Sequence, residues 1–322
     1  MCYAAMARAD LAKCLREYDA LLDTDMFERL YWLRINDPRA GVRLPLAIDR
    51  YFLEPRNDAE RKVKQAIDAY RAIKVPEWEA EIFKQRARYA DAERALKTKH
   101  TKKAEADLGI SSRKIEQLKG WLDGMKTMEN KPDDFFVHPM TYGPLIIQIE
   151  KGRMLTAMRY HCRLAGKPPT VDRQLPGLYN ARVDSLQDWW APVFGKRHAL
   201  VILTGFRENV KRHAMEGREL GAGEEPENVV LQFNPRDRQD MLVPCVWDRW
   251  QQQGPEVLHS FALITDEPPP EIAAAGHNRC PINLTRSAAE AWLSPEGRSA
   301  GELLEILNER QRPYYEHVKA AA

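Results

Sequence analysis

The feature that most restricts the fold is a change of pattern near residue 131. The segment Asn130-Lys131-Pro132-Asp133-Asp134 interrupts any regular element. Before it, residues 9–130 carry apolar side chains at helical spacing, and after it come short apolar runs separated by Gly and Pro. The pattern predicts an α+β protein, in which helices precede a sheet or a partly closed barrel.

The helical half predicts a hairpin or a short coiled-coil-like arm, with a plain solvated bundle as the alternative. Its apolar positions recur three or four residues apart, as in Val63, Ile67, Tyr70 and Ile73, in Ile82, Tyr89 and Leu96, and in Ile115, Leu118, Leu122 and Met125. Pro76 is expected to open one helix in its first turn. Ser111 or Ser112 is expected to cap the last helix of this half.

The second half predicts several strands and one late helix. The apolar runs that suggest strands are residues 145–149, 154–160, 198–206, 229–233, 243–247 and 261–265. Leu303, Leu304 and Leu307 indicate a helix at about 300–310.

Positive charge is concentrated in the helical half. The chain has a net charge of +2, but residues 55–131 hold 19 Lys and Arg against 13 Asp and Glu. This asymmetry is a weak indication of a nucleic-acid contact. The run from Lys97 to Lys103 could touch phosphates, or could equally be a solvated helix end. No apolar run is long enough for a transmembrane helix, and no secretory signal is visible, so a cytoplasmic protein is expected.

The five cysteines are widely spaced and form no CxxC pair, so they are interpreted as free thiols. Cys14, Cys162, Cys245 and Cys280 are expected to be small buried hydrophobes. Cys2 differs, because removal of Met1 would give it a free α-amine beside its thiol. Such a 1,2-aminothiol condenses with an aldehyde, first to an imine and then to a thiazolidine ring. Many proteins begin with Met-Cys without using this chemistry.

Three later segments contain residue types suited to a reaction site. Residues 177–184 include Asn180, which can orient a reacting group, and Arg182, which can bind phosphate; a surface turn is the alternative. Residues 201–209 form an apolar strand expected to end at a Gly and to deliver Glu208, a candidate acid or base if it is not simply exposed.

The third segment, residues 276–282, contains His277 and Arg279. Histidine is suited to proton transfer near neutral pH, although a lone His more often has a structural role. Arg279 could hold a phosphate.

Taken in order, these segments resemble the SOS response-associated peptidase (SRAP) family, the abasic-site processing proteins. Members begin Met-Cys, then carry Asn-Ala-Arg-Ala-Glu, a strand with Gly-Phe-Tyr-Glu-Trp, and His-Asp/Glu-Arg-Met-Pro near the end. The counterparts here are Met1-Cys2 and residues 180–184, 205–209 and 277–281. Weaker similarities are residues 243–247, 261–265 and 291–293.

The resemblance implies a mixed, mostly antiparallel sheet or half-barrel with flanking helices, plus a long helical insertion. Residues 1–20 and 131–315 would form the catalytic core, and residues 21–130 the insertion. The insertion has no counterpart in short members and could contact replication or repair proteins.

The chain also departs from the family pattern. Tyr3-Ala4 replaces Gly-Arg, which removes an expected DNA-contacting Arg at position 4 that Arg8 could replace. Asp184, Asn209 and Cys280 replace Glu, Trp and Met. The family segment Trp-Gly-Leu-Ile-Pro, part of the wedge that unstacks DNA, is replaced here by residues 160–164, Tyr-His-Cys-Arg-Leu.

By resemblance, the protein crosslinks covalently to abasic sites in single-stranded DNA and shields the lesion during the DNA damage response. Cys2 would form the thiazolidine, Asn180 would hold the amine or sugar, Glu208 would transfer protons, and His277 would help to open the sugar ring. A weak lyase activity is compatible with the same imine.

The remaining expectations concern DNA contacts and competing functions. Arg182 and Arg279 would bind flanking phosphates, and Arg159 and Tyr160 would also contact DNA. No cofactor, metal or membrane is implied, and the protein would be cytoplasmic and nucleoid-associated. The alternatives are a thiol (auto)peptidase acting on proteins and a non-catalytic nucleic-acid-binding scaffold.

Overall fold

The computed structural model describes residues 3–8, 10–252 and 257–320. The chain forms two compact units. The first comprises residues 1–27, 42–45 and 135–322, and the second comprises residues 28–41 and 46–134. The sheet belongs to the first unit, and the two long helices belong to the second.

The helices of the described residues are α1 (Leu11–Tyr18), α2 (Thr24–Asn36), α3 (Leu46–Tyr51), α4 (Asp58–Thr98), α5 (Lys102–Lys126), α6 (Val171–Gln174), α7 (Arg212–Met215), α8 (Pro270–Ala274), α9 (Arg286–Trp292) and α10 (Ala300–Asn308). The strands are β1 (Ala4–Ala7), β2 (Ala20–Leu22), β3 (Phe136–Val137), β4 (Tyr142–Ile149), β5 (Gly152–Tyr160), β6 (Asn180–Arg182), β7 (His198–Lys211), β8 (Asn228–Pro235), β9 (Met241–Gln251), β10 (Val257–Asp266), β11 (Cys280–Pro281) and β12 (Tyr315–Lys319).

Five strands close into a barrel. β5 pairs with β4, β4 with β7, β7 with β9, β9 with β10, and β10 returns to β5. The β10–β5 pairing is parallel and the other four are antiparallel. Closure removes the unpaired edges that a five-stranded sheet would expose. The predicted α+β fold with a mostly antiparallel, barrel-like core is confirmed.

The core of this unit is filled by alternate side chains of the barrel strands. Val201 and Leu203 of β7 pack with Val243 of β9 and with Phe261 and Leu263 of β10, all of them buried. Successive residues of a strand point to opposite faces, so the residues between these core positions face the outside of the barrel.

Two short strands extend the barrel toward the candidate site. β6 runs parallel to β10, with Asn180 opposite Leu263, and β11 runs antiparallel to it, with Pro281 opposite Thr265. The N-terminal strand β1 pairs with β7, with Ala4 opposite Arg207. Three short strands from separate parts of the sequence therefore lie along β7 or β10 of the barrel.

The second unit contains the predicted helical hairpin. Ile82 of α4 packs against Leu118 and Leu122 of α5, with Val75 and Trp78 beside them. The Arg50 guanidinium donates to the carbonyl of Gly124, 3.1 Å away, and to that of Thr127, 2.9 Å away. These bonds satisfy carbonyls at the end of α5 that have no partner within the helix.

Two expectations about the hairpin were wrong. Pro76 lies inside α4 and does not open a helix. Proline in a helix interior costs about 3 kcal/mol, and packing of the neighbouring Val75 and Trp78 against α5 offsets this cost. Ser111 lies inside α5, where its hydroxyl donates to the Asp107 carbonyl at 2.6 Å, and Thr101 is the residue that caps the helix.

The predicted strands and the helix near residue 300 are confirmed, but β7 is longer than expected. It continues past Gly205 to Lys211, so Glu208 lies within the strand, opposite Leu231 of β8. The sequence pattern did not predict β1, β2, β3, β6, β11 or β12, which are two to five residues long. Strands this short show too few alternations to be recognised.

Candidate active site

Glu208 is the most deeply buried acidic side chain in the sheet, with no exposed surface. The strand that carries it is held close to its neighbour at Gly205, where an added Cβ would lie 2.7 Å from the carbonyl oxygen of Phe233. Only glycine allows this approach of β7 to β8. Gly205 therefore has a packing role inside β7, and the strand does not end there as expected.

His277 lies in the loop between α8 and β11. Gly276 precedes it with a φ of 90°, a conformation that favours glycine, and an added Cβ there would lie 3.0 Å from the backbone nitrogen of Met215. The ring Nδ1 is 2.8 Å from the Arg279 carbonyl oxygen. The Arg279 backbone N–H also lies 3.3 Å from Nδ1, but the shorter contact favours a proton on Nδ1 that donates to the carbonyl, with Nε2 as the acceptor of the neutral ring.

The structure brings Glu208 and His277 together. His277 Nε2 lies 3.3 Å from Glu208 Oε2, and both side chains are buried. Burial raises the pKa of Glu208 to about 8, although the backbone N–H of Tyr3 acts in the opposite direction. Burial lowers the pKa of His277 to about 4, against the effect of its bond to the Arg279 carbonyl. Near neutral pH the pair therefore holds one transferable proton, on the Glu208 carboxyl group.

The N-terminal strand runs beside this pair. The Tyr3 backbone N–H donates to the Arg207 carbonyl at 3.0 Å, one residue before Glu208. Cys2, the predicted nucleophile, lies outside the described residues. Tyr3, the next residue, is therefore hydrogen-bonded to the strand that carries Glu208.

Asn180 lies on β6 and is mostly buried. The Tyr160 hydroxyl donates to its Oδ1 at 3.5 Å. Its Nδ2 group has no hydrogen-bond acceptor among the described residues. An unsatisfied buried donor is costly, so this amide is suited to a ligand that supplies the missing acceptor.

Arg182 and Arg279, the predicted phosphate ligands, meet at one carboxylate. The Arg182 Nε donates to Asp184 Oδ1 at 3.0 Å, and the Arg279 Nη2 lies 4.0 Å from Asp184 Oδ2. The carboxylate of Asp184 thus partly neutralises both guanidinium groups. A phosphate that binds both arginines must compete with this carboxylate.

The other residues expected to contact DNA are buried. Tyr160 has no exposed surface and stacks on Phe261, with ring centroids 5.2 Å apart. Arg159 lies below the surface, where its Nη1 donates to Asp172 at 2.9 Å. In this conformation neither side chain can reach DNA, and Tyr160 instead supports Asn180.

Arg8, considered as a replacement for the Arg missing at position 4, is also occupied. Its buried guanidinium bonds to Glu17 and lies 2.9 Å from Asp240. Two carboxylates hold this side chain away from any phosphate.

Sequence reasoning missed two aromatic residues near the N-terminal strand. Tyr3 is 39% exposed, and its ring centroid lies 5.8 Å from that of His138, with the rings nearly perpendicular. An exposed ring such as that of Tyr3 can stack on an unpaired base. The signal in the sequence was the position of Tyr3 directly after Cys2.

His161 has a backbone conformation that is unusual for its residue type. Its φ is 142°, in a region that favours glycine. The family segment has Gly at this point, so the backbone fits the family pattern although the side chain does not. The His161 side chain is buried, with Nε2 3.7 Å from Asp172 Oδ1.

The remaining cysteines are buried free thiols, as predicted. Burial raises the pKa of both Cys14 and Cys162 to about 12, so neither thiol ionises at neutral pH.

Within the described ranges there is no group of three or more His, Cys, Asp and Glu residues that could hold a metal ion. A search of the same residues found no helix long and apolar enough to cross a membrane.

These features define an α+β protein whose closed barrel carries a buried carboxylate–imidazole pair beside its N-terminal strand. The chain belongs to the SOS response associated peptidase (SRAP) family, because the family model matches residues 94–321. The matched region includes Asn180, Glu208 and His277, and begins after Cys2.

Comparison with solved structures gave several similar chains. A protein from Bordetella bronchiseptica is 17% identical, with a TM-score of 0.46 over 58% of this chain and 88% of its own. A protein from Bacteroides thetaiotaomicron is 18% identical, with a TM-score of 0.44 over 58% and 78%. A phage-related protein from Bordetella bronchiseptica is 17% identical, with a TM-score of 0.43 over 58% and 82%. No curated protein matched the chain.

Proposed function

We propose that this protein crosslinks covalently to abasic sites in single-stranded DNA through a thiazolidine formed by Cys2, and so shields the lesion. The observation that carries the proposal is the buried Glu208–His277 pair, 3.3 Å apart, with Glu208 on a strand whose Arg207 carbonyl accepts from the Tyr3 N–H. A residue bonded to Tyr3 has its α-carbon about 3.8 Å from that of Tyr3. Cys2 directly precedes Tyr3 in the sequence.

The raised pKa of Glu208 supports a role in proton transfer. At neutral pH its carboxyl group is protonated, and a general acid works best when its pKa lies near the working pH. His277, neutral at the same pH, can accept a proton at Nε2. The pair can therefore give and recover a proton during one reaction cycle.

The chemistry balances without a further reagent. The Cys2 amine attacks the C1 aldehyde of the open sugar, a C–N bond forms, and one amine proton passes to the oxygen. Glu208 supplies the second proton, the oxygen leaves as water, and the resulting protonated imine returns a proton to the Glu208 carboxylate. The Cys2 sulfur then attacks the same carbon, a C–S bond forms, and the thiol proton ends on the nitrogen. One water is released in all.

The other residues have roles that their surroundings support. His277 would move a proton at the sugar ring oxygen to open the ring. The unsatisfied Asn180 amide would donate to the sugar. Arg182 and Arg279 would bind the flanking phosphates once these displace Asp184. Tyr160 would hold Asn180 in place through its hydroxyl group, and Arg159 would hold the neighbouring segment through Asp172 and the His161 carbonyl.

The direct test uses a single-stranded oligonucleotide with one abasic site, followed by denaturing electrophoresis after heating. A heat-stable shifted band is expected, provided that mass spectrometry shows the protein to begin at Cys2. Cys2→Ala should abolish the band. Cys2→Ser keeps the amine but lacks the thiol, so its adduct should be an imine that survives heating only after borohydride reduction. An oligonucleotide without the lesion is the control.

A thiol peptidase acting on other proteins is the second candidate, favoured by the family's description. The two functions differ in their need for the α-amine. Acetylation of that amine should abolish the DNA crosslink, whereas a peptidase that uses only the thiol should retain its cleavage of a peptide substrate. Strand cleavage at the abasic site, measured on the same gel, tests the weak lyase activity.

A further inference from the structure

One face of helix α4 in the second unit carries an exposed aromatic ring and several cations. Residues 83, 87, 90, 94 and 97 are spaced four and three apart, so they lie along one line of the helix. They are Phe83, Ala87, Ala90, Arg94 and Lys97, and all five are exposed. Arg86 borders the line and is exposed as well. With a rise of about 1.5 Å per residue, the line is about 21 Å long.

Acidic residues lie to the sides of this line. At about 100° per residue, Asp91 and Glu93 each lie about 80° around the helix from Phe83, on opposite sides. Arg94 bonds to Asp91, but both side chains are at least 69% exposed, so water screens this pair strongly.

Beyond the line the chain turns into α5 and adds more positive charge. Lys99, Lys102 and Lys103 are exposed, and no acidic residue occurs between Arg94 and Glu105. No ion pair is found for Lys97 or for these three lysines among the described residues. Their charges are therefore available to a ligand. The line from Phe83 to Lys97, together with Arg86 and the residues up to Lys103, is called the basic stripe below.

Phe83 indicates the kind of ligand. Its side chain is 78% exposed and lies outside the apolar cluster formed by Ile82, Leu118 and Leu122. An exposed aromatic ring on a cationic track is typical of surfaces that bind single-stranded nucleic acid, where lysines contact phosphates and rings stack on bases. A helix that binds a membrane surface needs a broad apolar face, and the only other apolar members of the line are two alanines.

We propose that the basic stripe binds single-stranded DNA through its phosphates, with Phe83 stacked on a base. The choice of DNA rests on the function proposed above. The inference that the ligand is a single-stranded nucleic acid rests on the exposed lysines and on Phe83. This binding would be independent of sequence and would need no lesion.

The test measures the affinity for a fluorescent dT oligonucleotide without an abasic site, at several salt concentrations. The variant Lys97→Gln/Lys99→Gln/Lys103→Gln should bind more weakly and reduce the slope of log K against log salt by about 2, since each contact with a single strand contributes about 0.7. The control variant Lys64→Gln/Lys74→Gln/Lys119→Gln removes the same charge from lysines of the same two helices that pair with Asp68, Glu77 and Glu116. It should keep a slope close to that of the wild type.

Phe83→Ala tests the stacking without a change in charge. It should weaken binding by about fivefold or more, since one stacked base is typically worth 1–3 kcal/mol, and should leave the salt slope unchanged. Because Phe83 is outside the apolar cluster, the circular dichroism spectrum of this variant should match that of the wild type.

Three results would overturn the proposal: equal salt slopes for the two lysine variants, no binding of the oligonucleotide by the wild type, or a preference for anionic phospholipid vesicles over DNA. Tighter binding to a U oligonucleotide than to dT would contradict the choice of DNA. The crosslinking yield at saturating protein is a separate readout. If the wild-type protein forms no heat-stable band, the thiazolidine proposal is contradicted. The affinities for the dT oligonucleotide still test whether the basic stripe binds single-stranded DNA.

Discussion

His277 Nε2 lies 3.3 Å from Glu208 Oε2, while Nδ1 of the same ring faces the Arg279 carbonyl at 2.8 Å. The short contact to the carbonyl favours the tautomer with its proton on Nδ1, in which Nε2 accepts from the Glu208 carboxyl group. Because burial disfavours charge on both groups, the neutral carboxyl and the neutral imidazole are the stable partners. Proton transfer from Glu208 depends on this arrangement.

Glu208→Gln should slow crosslinking by about 100-fold or more, because it removes the transferable proton while keeping a side chain of the same shape. The rate is measured from the appearance of the heat-stable band with excess protein. Affinity for an oligonucleotide without the lesion should be unchanged. A variant that reacts at the wild-type rate would rule out proton transfer by Glu208.

The stability of the protein should fall as the pH rises from about 5 to above 8. Folding raises the pKa of Glu208 from 4.5 to about 8, so the native state binds more protons than the unfolded state over this range. Between pH 6 and pH 9 the loss is on the order of 3 kcal/mol, and it should be absent from Glu208→Gln. Urea unfolding of both proteins at pH 6 and pH 9 measures it, and an equal change in the two proteins would contradict the burial of this carboxyl group.

His277 acts at the other end of the pH range. Its native pKa of about 4 lies below the ordinary value of 6.5, so the unfolded state takes up the proton first as the pH falls. The stability it contributes above pH 6.5 should be lost between pH 6.5 and 4. His277→Gln should lack this part of the acid sensitivity in the same unfolding measurement.

Asp184→Asn should strengthen binding to single-stranded DNA, since it frees Arg182 and Arg279 from their shared carboxylate. We expect a gain of about threefold at low salt that shrinks as salt is added. Asp188→Asn, which removes an exposed charge four residues away, is the control. Equal effects of the two substitutions would mean that the gain in affinity comes from net charge alone and not from release of Arg182 and Arg279.

His161→Gly should be more stable than His161→Ala by about 1–3 kcal/mol, because only glycine adopts a φ of 142° without strain. Elsewhere the order is normally reversed, since glycine loses more conformational freedom on folding. Thermal unfolding of the two variants gives the comparison. If the alanine variant were the more stable, the strain assigned to this position would be absent.

The parts of the fold that could be predicted were those with long, regular patterns. Apolar runs such as residues 198–206 and 261–265 identified the barrel strands, and helical spacing identified the hairpin. The failures came from tertiary contacts: packing against α5 keeps Pro76 inside α4, and close approach to β8 explains Gly205. Neither contact can be deduced from local sequence.

The candidate site was predictable by residue type and not by geometry. Glu208 and His277 were selected from separate segments, and only the pairing of strands brings them within 3.3 Å. Arg159 and Tyr160 have suitable chemistry for contacting DNA, but they are buried. Burial depends on what packs above a residue, and sequence neighbours do not provide that information.

The measurement that tests the central claim most directly is the mass of the adduct formed with an abasic oligonucleotide, after nuclease trimming and peptide mapping. We expect a protein that has lost Met1 and gained the trimmed sugar-phosphate less one water, with the modification on Cys2. The adduct should resist both heat and borohydride, because a thiazolidine has no imine to reduce. If a protein shown to begin at Cys2 forms no adduct, or forms an adduct through another residue, the proposed crosslink through Cys2 is contradicted.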